Sequence, residues 1–123
     1  MNTTTIDIAE AYYTAMSQKD LPKIEKYLHP DVVLLSPLAE VVGKESVTTS
    51  IKNFMAFFES LEIKLKFGSE DHATVVYEVN FPKIGKVRSV ALMSFKKELI
   101  SHVELFYDAR PFEQKKADIF TQK

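Results

Sequence analysis

Cysteine is absent from the 123 residues, and glycine occurs only three times. The first absence excludes disulfides, thiolate nucleophiles and cysteine-ligated zinc or iron–sulfur centres, and it fits a reducing compartment such as the cytoplasm. The second leaves too few glycines for a phosphate-cradling loop, a nucleophile elbow or a dinucleotide fingerprint, so no cofactor is expected. His29, His72 and His102 form neither a His-x-His nor a His-x-x-x-His pair, and no metal is expected either. Charge of one sign is missing too: 16 basic and 17 acidic residues, spread along the chain, leave a formal net charge of −1. That balance lacks the footprint of a nucleic-acid or acidic-membrane binder. The start, Met1-Asn2-Thr3-Thr4-Thr5, has no basic region followed by an apolar run, and no stretch approaches the roughly 18 apolar residues of a membrane span. The expectation is a soluble, cytoplasmic protein.

What is present suits one domain over residues 1–123, with 46% hydrophobic residues for a single core. Thr4 and Asp7 read as a capping box, after which Ile6, Ala9, Tyr13 and Met16 recur at helical spacing as far as Ser17. Asp20 caps a second helix, with Pro22 in its first turn and Leu21, Ile24 and Leu28 on one face before His29-Pro30. Val32–Leu35 is a short β-branched run, and 38–42 reads as an irregular loop. After Gly43, Val47, Ile51, Phe54 and Phe58 mark a third helix ending near Ser60. The period then falls to two: Ile63, Leu65 and Phe67 alternate with charged residues, and His72–Phe81, Lys86–Phe95 and Leu99–Tyr107 follow as strands joined by hairpin-length turns. Helices first and strands afterwards indicate α+β, three helices packed on a curved antiparallel sheet. Residues 109–123 form a polar tail, apolar only at Pro111-Phe112 and Ile119-Phe120, that either drapes over the sheet or frays.

This order of elements resembles the nuclear transport factor 2-like superfamily, in particular its SnoaL-like and ketosteroid-isomerase-like branch. Local runs agree: Asp20-Leu21-Pro22-Lys23-Ile24 with Tyr27-Leu28-His29-Pro30-Asp31-Val32, then Gly43-Lys44-Glu45-Ser46-Val47, then Glu104-Leu105-Phe106-Tyr107-Asp108. The resemblance implies a cone, as in cystatin-like α+β barrels, whose mouth opens to solvent, and dimerisation through the outer sheet face. It also places Tyr12 at the isomerase oxyanion-hole tyrosine, but Ser36 at the catalytic base and Met93 at the oxyanion-hole Asp. Serine without a base beside it cannot shuttle a carbon-bound proton, and methionine cannot donate a hydrogen bond, so ketosteroid isomerisation is not expected.

The last strand offers other chemistry. His102, Glu104, Phe106 and Asp108 share one face by alternation, and Val103, Leu105 and Tyr107 share the other. Hydrophobicity alone sends the apolar set to the core, whereas the family alignment points the polar set into the cone and frees the apolar set for a dimer interface. On the second reading, which is adopted as the expectation, His102 and Glu104 form an acid–base pair and Asp108 is the counterpart of the base of SnoaL-type cyclases, with Tyr12 beside them. Asp108 as a strand-end partner of Arg110 is the competing reading. Met16, Ile51, Phe54, Phe58, Met93, Phe95 and Phe106 are the candidate apolar lining.

Two functions follow. One is binding or transforming a small hydrophobic, oxygen-bearing molecule by cofactor-free acid–base chemistry as a homodimer. The other is a non-catalytic ligand-binding or association module. The fold alone cannot separate them.

Overall fold

The computed structural model describes residues 4–115. Helix α1 (Thr5–Ser17) opens on the expected box: the Thr4 hydroxyl accepts from the Asp7 N–H at 3.1 Å, and the Asp7 carboxylate accepts from the Thr4 N–H at 3.4 Å. Its end is a Schellman turn, with Asp20 N–H donating to Ala15 O and Lys19 N–H to Met16 O, both at 3.0 Å. Lys19 takes the left-handed position (φ 57°) that glycine normally fills. Its ammonium donates to Phe58 O at 2.7 Å and lies 4.8 Å from the Phe58 ring centroid, contacts that glycine could not make.

Helix α2 (Leu21–Glu25) is shorter than the apolar spacing suggested. Leu28 and His29-Pro30 belong instead to strand β1 (Leu28–Leu35), because the Ile100 N–H captures Tyr27 O at 2.7 Å and Leu28 pairs with Ile100. Residues 40–42 add an edge strand, β2 (Glu40–Val42), where a loop was expected. Helix α3 (Lys44–Met55) ends before Phe58, since the Glu59 N–H bonds Asn80 O at 2.7 Å and draws the chain into strand β3 (Ser60–Gly68). Strands β4 (His72–Phe81), β5 (Gly85–Lys96) and β6 (Leu99–Phe106) complete one sheet in the order β2-β1-β6-β5-β4-β3, antiparallel except at the parallel β1–β6 pair. The helices fill its concave side, which gives the α+β cone. A 3₁₀ turn, Arg110–Lys115, begins the expected polar tail; Ile119 and Phe120 lie outside the described residues.

Two bulges set which side chains face the helices. In β3, Ile63 pairs with Tyr77 but Leu65 pairs with Val76, so Lys64 is an extra residue and the alternation flips after it. Leu65 and Phe67, expected inside, are 56% and 57% exposed on the convex face, and Lys66 turns to the helix side and pairs with Glu10. In β6, Phe95 pairs with Ile100 and Ser94 with His102, leaving Ser101 unpaired. Beyond it Val103 is 1% exposed against the helices, with Leu105 and Tyr107 packed on the same core. The polar-inside register is therefore reversed: His102, Glu104, Phe106 and Asp108 face away from the cone. Burying Val103 is worth about 1.5–3 kcal/mol and the half-buried Leu105 and Tyr107 add to it, which outweighs anything the polar set could gain inside without partners.

Candidate functional site

The cone holds a partly open cavity of about 60 Å³, counted as the space open to the centre of a water molecule. At about 10–15 Å³ per water on that measure, it has room for four to six atoms of that size. Helix α1 supplies Tyr12, Tyr13 and Met16, because residues one turn apart share the buried face. Helix α3 supplies Ser50, Ile51 and Phe54; β4 supplies Tyr77, Val79 and Phe81; β5 supplies Val87 and Ser89; β1 and β6 supply Leu34 and Leu105. Tyr107 and Phe112 complete the lining.

The polar side chains in this lining are hydroxyls alone. Tyr13 stacks at 4.5 Å on Tyr77, with the two planes tilted by 31°, and meets the edge of Tyr12 at 4.8 Å. Burial raises all four phenols. Tyr12 and Tyr13 lie far above the ordinary value for tyrosine. Tyr77 is pushed up to about 12, with the neighbouring Tyr13 and Ser89 hydroxyls offsetting part of the rise. Tyr107 is raised too, again by burial, with Ser36 nearby acting in the opposite direction. At neutral pH these groups are protonated, so they can orient a ligand oxygen but cannot remove a proton from carbon. The Ser50 hydroxyl is buried with no hydrogen-bond partner among the described residues.

Of the residues expected to carry acid–base chemistry, only Tyr12 reaches the cavity. His102 and Glu104 are half-buried on the opposite face of β6. Asp108 is exposed past the end of β6: its carboxylate accepts from the Arg110 guanidinium at 2.6 and 2.9 Å and from the Arg110 backbone N–H at 3.1 Å. That pairing holds the carboxyl at about 2, below its ordinary value, and makes it the cap of the 3₁₀ turn. Among the apolar candidates, Met16, Ile51 and Phe54 line the cavity. Phe58 and Met93 are buried beside it in the core, Phe95 packs against that core, and Phe106 is 48% exposed on the convex face. Ser36, at the position of the isomerase base, is occupied by its own turn, accepting from Leu38 N–H at 3.2 Å and Ala39 N–H at 3.3 Å. Tyr77 was legible from the alternation of Ala73, Val75, Tyr77, Val79 and Phe81; Ser50 and Ser89 carry no local signal that separates them from core serines. Among the described residues no three His, Asp or Glu side chains gather as a metal site, and no helix is long and apolar enough to cross a membrane.

The model of the SnoaL-like domain matches residues 9–103, most of the chain. The chain belongs to the SnoaL-like family. Solved structures share the fold of this SnoaL-like domain. A protein from Kribbella flavida DSM 17836 superposes with a TM-score of 0.86 at 18% identity, over 94% of this chain and 96% of that one. A steroid delta-isomerase from Pseudomonas aeruginosa gives 0.76 at 16% identity, over 92% and 85%. A de novo designed protein with a curved β-sheet gives 0.79 at 22% identity, over 95% and 97%. Such distant likenesses show the fold alone, and one scaffold here serves both an enzyme and a design. No curated protein matches the chain in sequence.

Proposed function

We propose that this SnoaL-like domain binds a small, largely apolar molecule in the cone and orients its oxygen through neutral hydroxyls, without acid–base chemistry at that site. The observation that carries the reading is the lining itself. Its polar groups are serine and tyrosine hydroxyls, and the Ser50 hydroxyl has no partner among the described residues. A ligand oxygen beside Ser50 relieves the cost of a buried, unsatisfied donor, about 1–3 kcal/mol. Butan-2-ol and butan-2-one match the size of the cavity. In NMR titrations both are expected to shift the methyl resonances of Met16, Ile51 and Leu105, and Ser50→Leu, which fills the cavity, is expected to abolish those shifts. Unchanged shifts in Ser50→Leu would dismiss the cone as the binding site.

A homodimer through the convex sheet face is the second part of the proposal, with a different residue set from the one first expected. Leu65, Val76, Val90 and Phe106 are cross-strand neighbours in one apolar row, with exposed Phe67 and Leu92 beside it. Arg88 stands in the row on one side and Glu104 in the row on the other. A two-fold axis through the apolar row thus brings the cation of one copy towards the carboxylate of the other. Phe106→Asp is expected to convert a dimer to a monomer in light scattering at tens of micromolar; a wild-type monomer under those conditions refutes the interface.

A further inference from the structure

Phe112 is buried to 4% exposure although its neighbours Arg110 and Pro111 are exposed, and the turn that carries it is a single 3₁₀ segment. Its ring packs edge-on against Phe81 at 4.9 Å and Tyr107 at 5.5 Å. On the outer side of the same ring lies a groove of about 250 Å³ between the end of α3 and the β4–β5 turn, lined by Phe57, Pro82, Lys83 and Ile84 among others. Phe81 and Phe112 are the two side chains shared by groove and cavity. Phe81 is fixed in β4, paired with Gly85. Phe112 is tethered by its own N–H to Ala109 O at 2.9 Å and by the Asp108 cap of its turn. The movable part of the partition is therefore Phe112.

We propose that Phe112 is a gate, and that when it swings out the cavity and groove become one elongated site for an amphiphile with an anionic head. The apolar body enters the cone and the head meets Lys83, which among the described residues is the one charged residue lining the groove and has no ion-pair partner. This rests on the cone being the binding site. The cavity beside Phe112 has room for only a few atoms, so a larger ligand that extends into the groove displaces the ring, and its apparent affinity is reduced by the fraction of molecules in which the ring has swung out. Burying one phenylalanine ring holds that fraction at about 1–10%.

Two dyes with the same rings separate the claims: 8-anilino-1-naphthalenesulfonate is anionic, and N-phenyl-1-naphthylamine is its neutral counterpart. In stopped-flow fluorescence, Phe112→Ala is expected to speed association of both by about 10- to 100-fold. Asp108→Asn, which loosens the turn without touching the cavity, is expected to act in the same direction and serves if Phe112→Ala folds poorly. Lys83→Gln is expected to weaken the sulfonate by about 2- to 5-fold and leave the neutral dye unchanged. Rates indifferent to both Phe112→Ala and Asp108→Asn overturn the gate, and equal effects of Lys83→Gln on the two dyes overturn the anionic head site. Dye binding that survives Ser50→Leu unaltered lies outside the cone and overturns the gate together with the binding site it guards.

Discussion

Ser50→Ala deletes one oxygen from the cavity wall and is expected to stabilise the protein while weakening what it binds. Three terms set the magnitude. Removing a buried hydroxyl that lacks a partner recovers about 1–3 kcal/mol of desolvation cost. Alanine is a better residue than serine within α3, by about half a kcal/mol. Against these, the small enlargement of the cavity costs a few tenths, at about 24 cal/mol per Å³. The balance is a gain of about 1–3 kcal/mol. For a chain of 123 residues, with an unfolding entropy near 2.1 cal/mol/K per residue, that raises Tm by about 4–12 °C. Calorimetry and urea unfolding read it directly. Thr48→Val is the control, since Thr48 Oγ1 in α3 is likewise buried without a partner among the described residues but does not line the cavity. Both variants should gain stability, and only Ser50→Ala should lose affinity for butan-2-ol. A loss of 1 kcal/mol or more in Ser50→Ala would show that its hydroxyl is satisfied in the unliganded protein, and the case for a ligand oxygen at that position would fall.

Gly68→Ala should destabilise the fold by about 1–3 kcal/mol, because a Cβ there would stand 2.2 Å from Ile6 Cγ1 where the end of β3 meets the start of α1; denaturant midpoints equal to wild type would refute that close approach. The buried tyrosines set the alkaline limit. Their folded values are raised, so they contribute stability fully present below the unfolded tyrosine value of about 10 and lost as pH rises through the folded values. For Tyr77 that window runs from about 10 to about 12. Phenolate absorbance at 295 nm should accordingly lag behind that of the urea-unfolded chain and then rise together with loss of the circular dichroism signal. Coincident titration curves for the folded and unfolded protein would contradict the burial of those hydroxyls.

Much of the fold was legible because it is written locally. The Thr4–Asp7 box, the Asp20 cap before Pro22, and the alternation of Ala73, Val75, Tyr77, Val79 and Phe81 each state an element and its face within a few residues. The site was less legible because its facing depends on pairing. Nothing near Lys64 or Ser101 marks a bulge, since an unpaired residue exists only relative to the strand opposite, and a single insertion sends every later side chain to the other face. Hydrophobicity alone assigned Val103, Leu105 and Tyr107 to the core; the family alignment argued the opposite and carried His102 and Asp108 into a cone they do not enter. The β3 bulge has consequences on both faces of the sheet. By turning Lys66 towards Glu10 it ties the rim of the cone to α1, and by turning Leu65 outward it completes the row with Val76, Val90 and Phe106. One extra residue thus ties β3 to α1 on one side and helps to supply the proposed dimer surface on the other. A deletion of Lys64 would restore strict alternation, place Leu65 and Phe67 against the helices and leave Lys66 on the convex face. It is expected to abolish dimerisation in light scattering, whereas a dimer that survives the deletion would show that Leu65 does not belong to the interface.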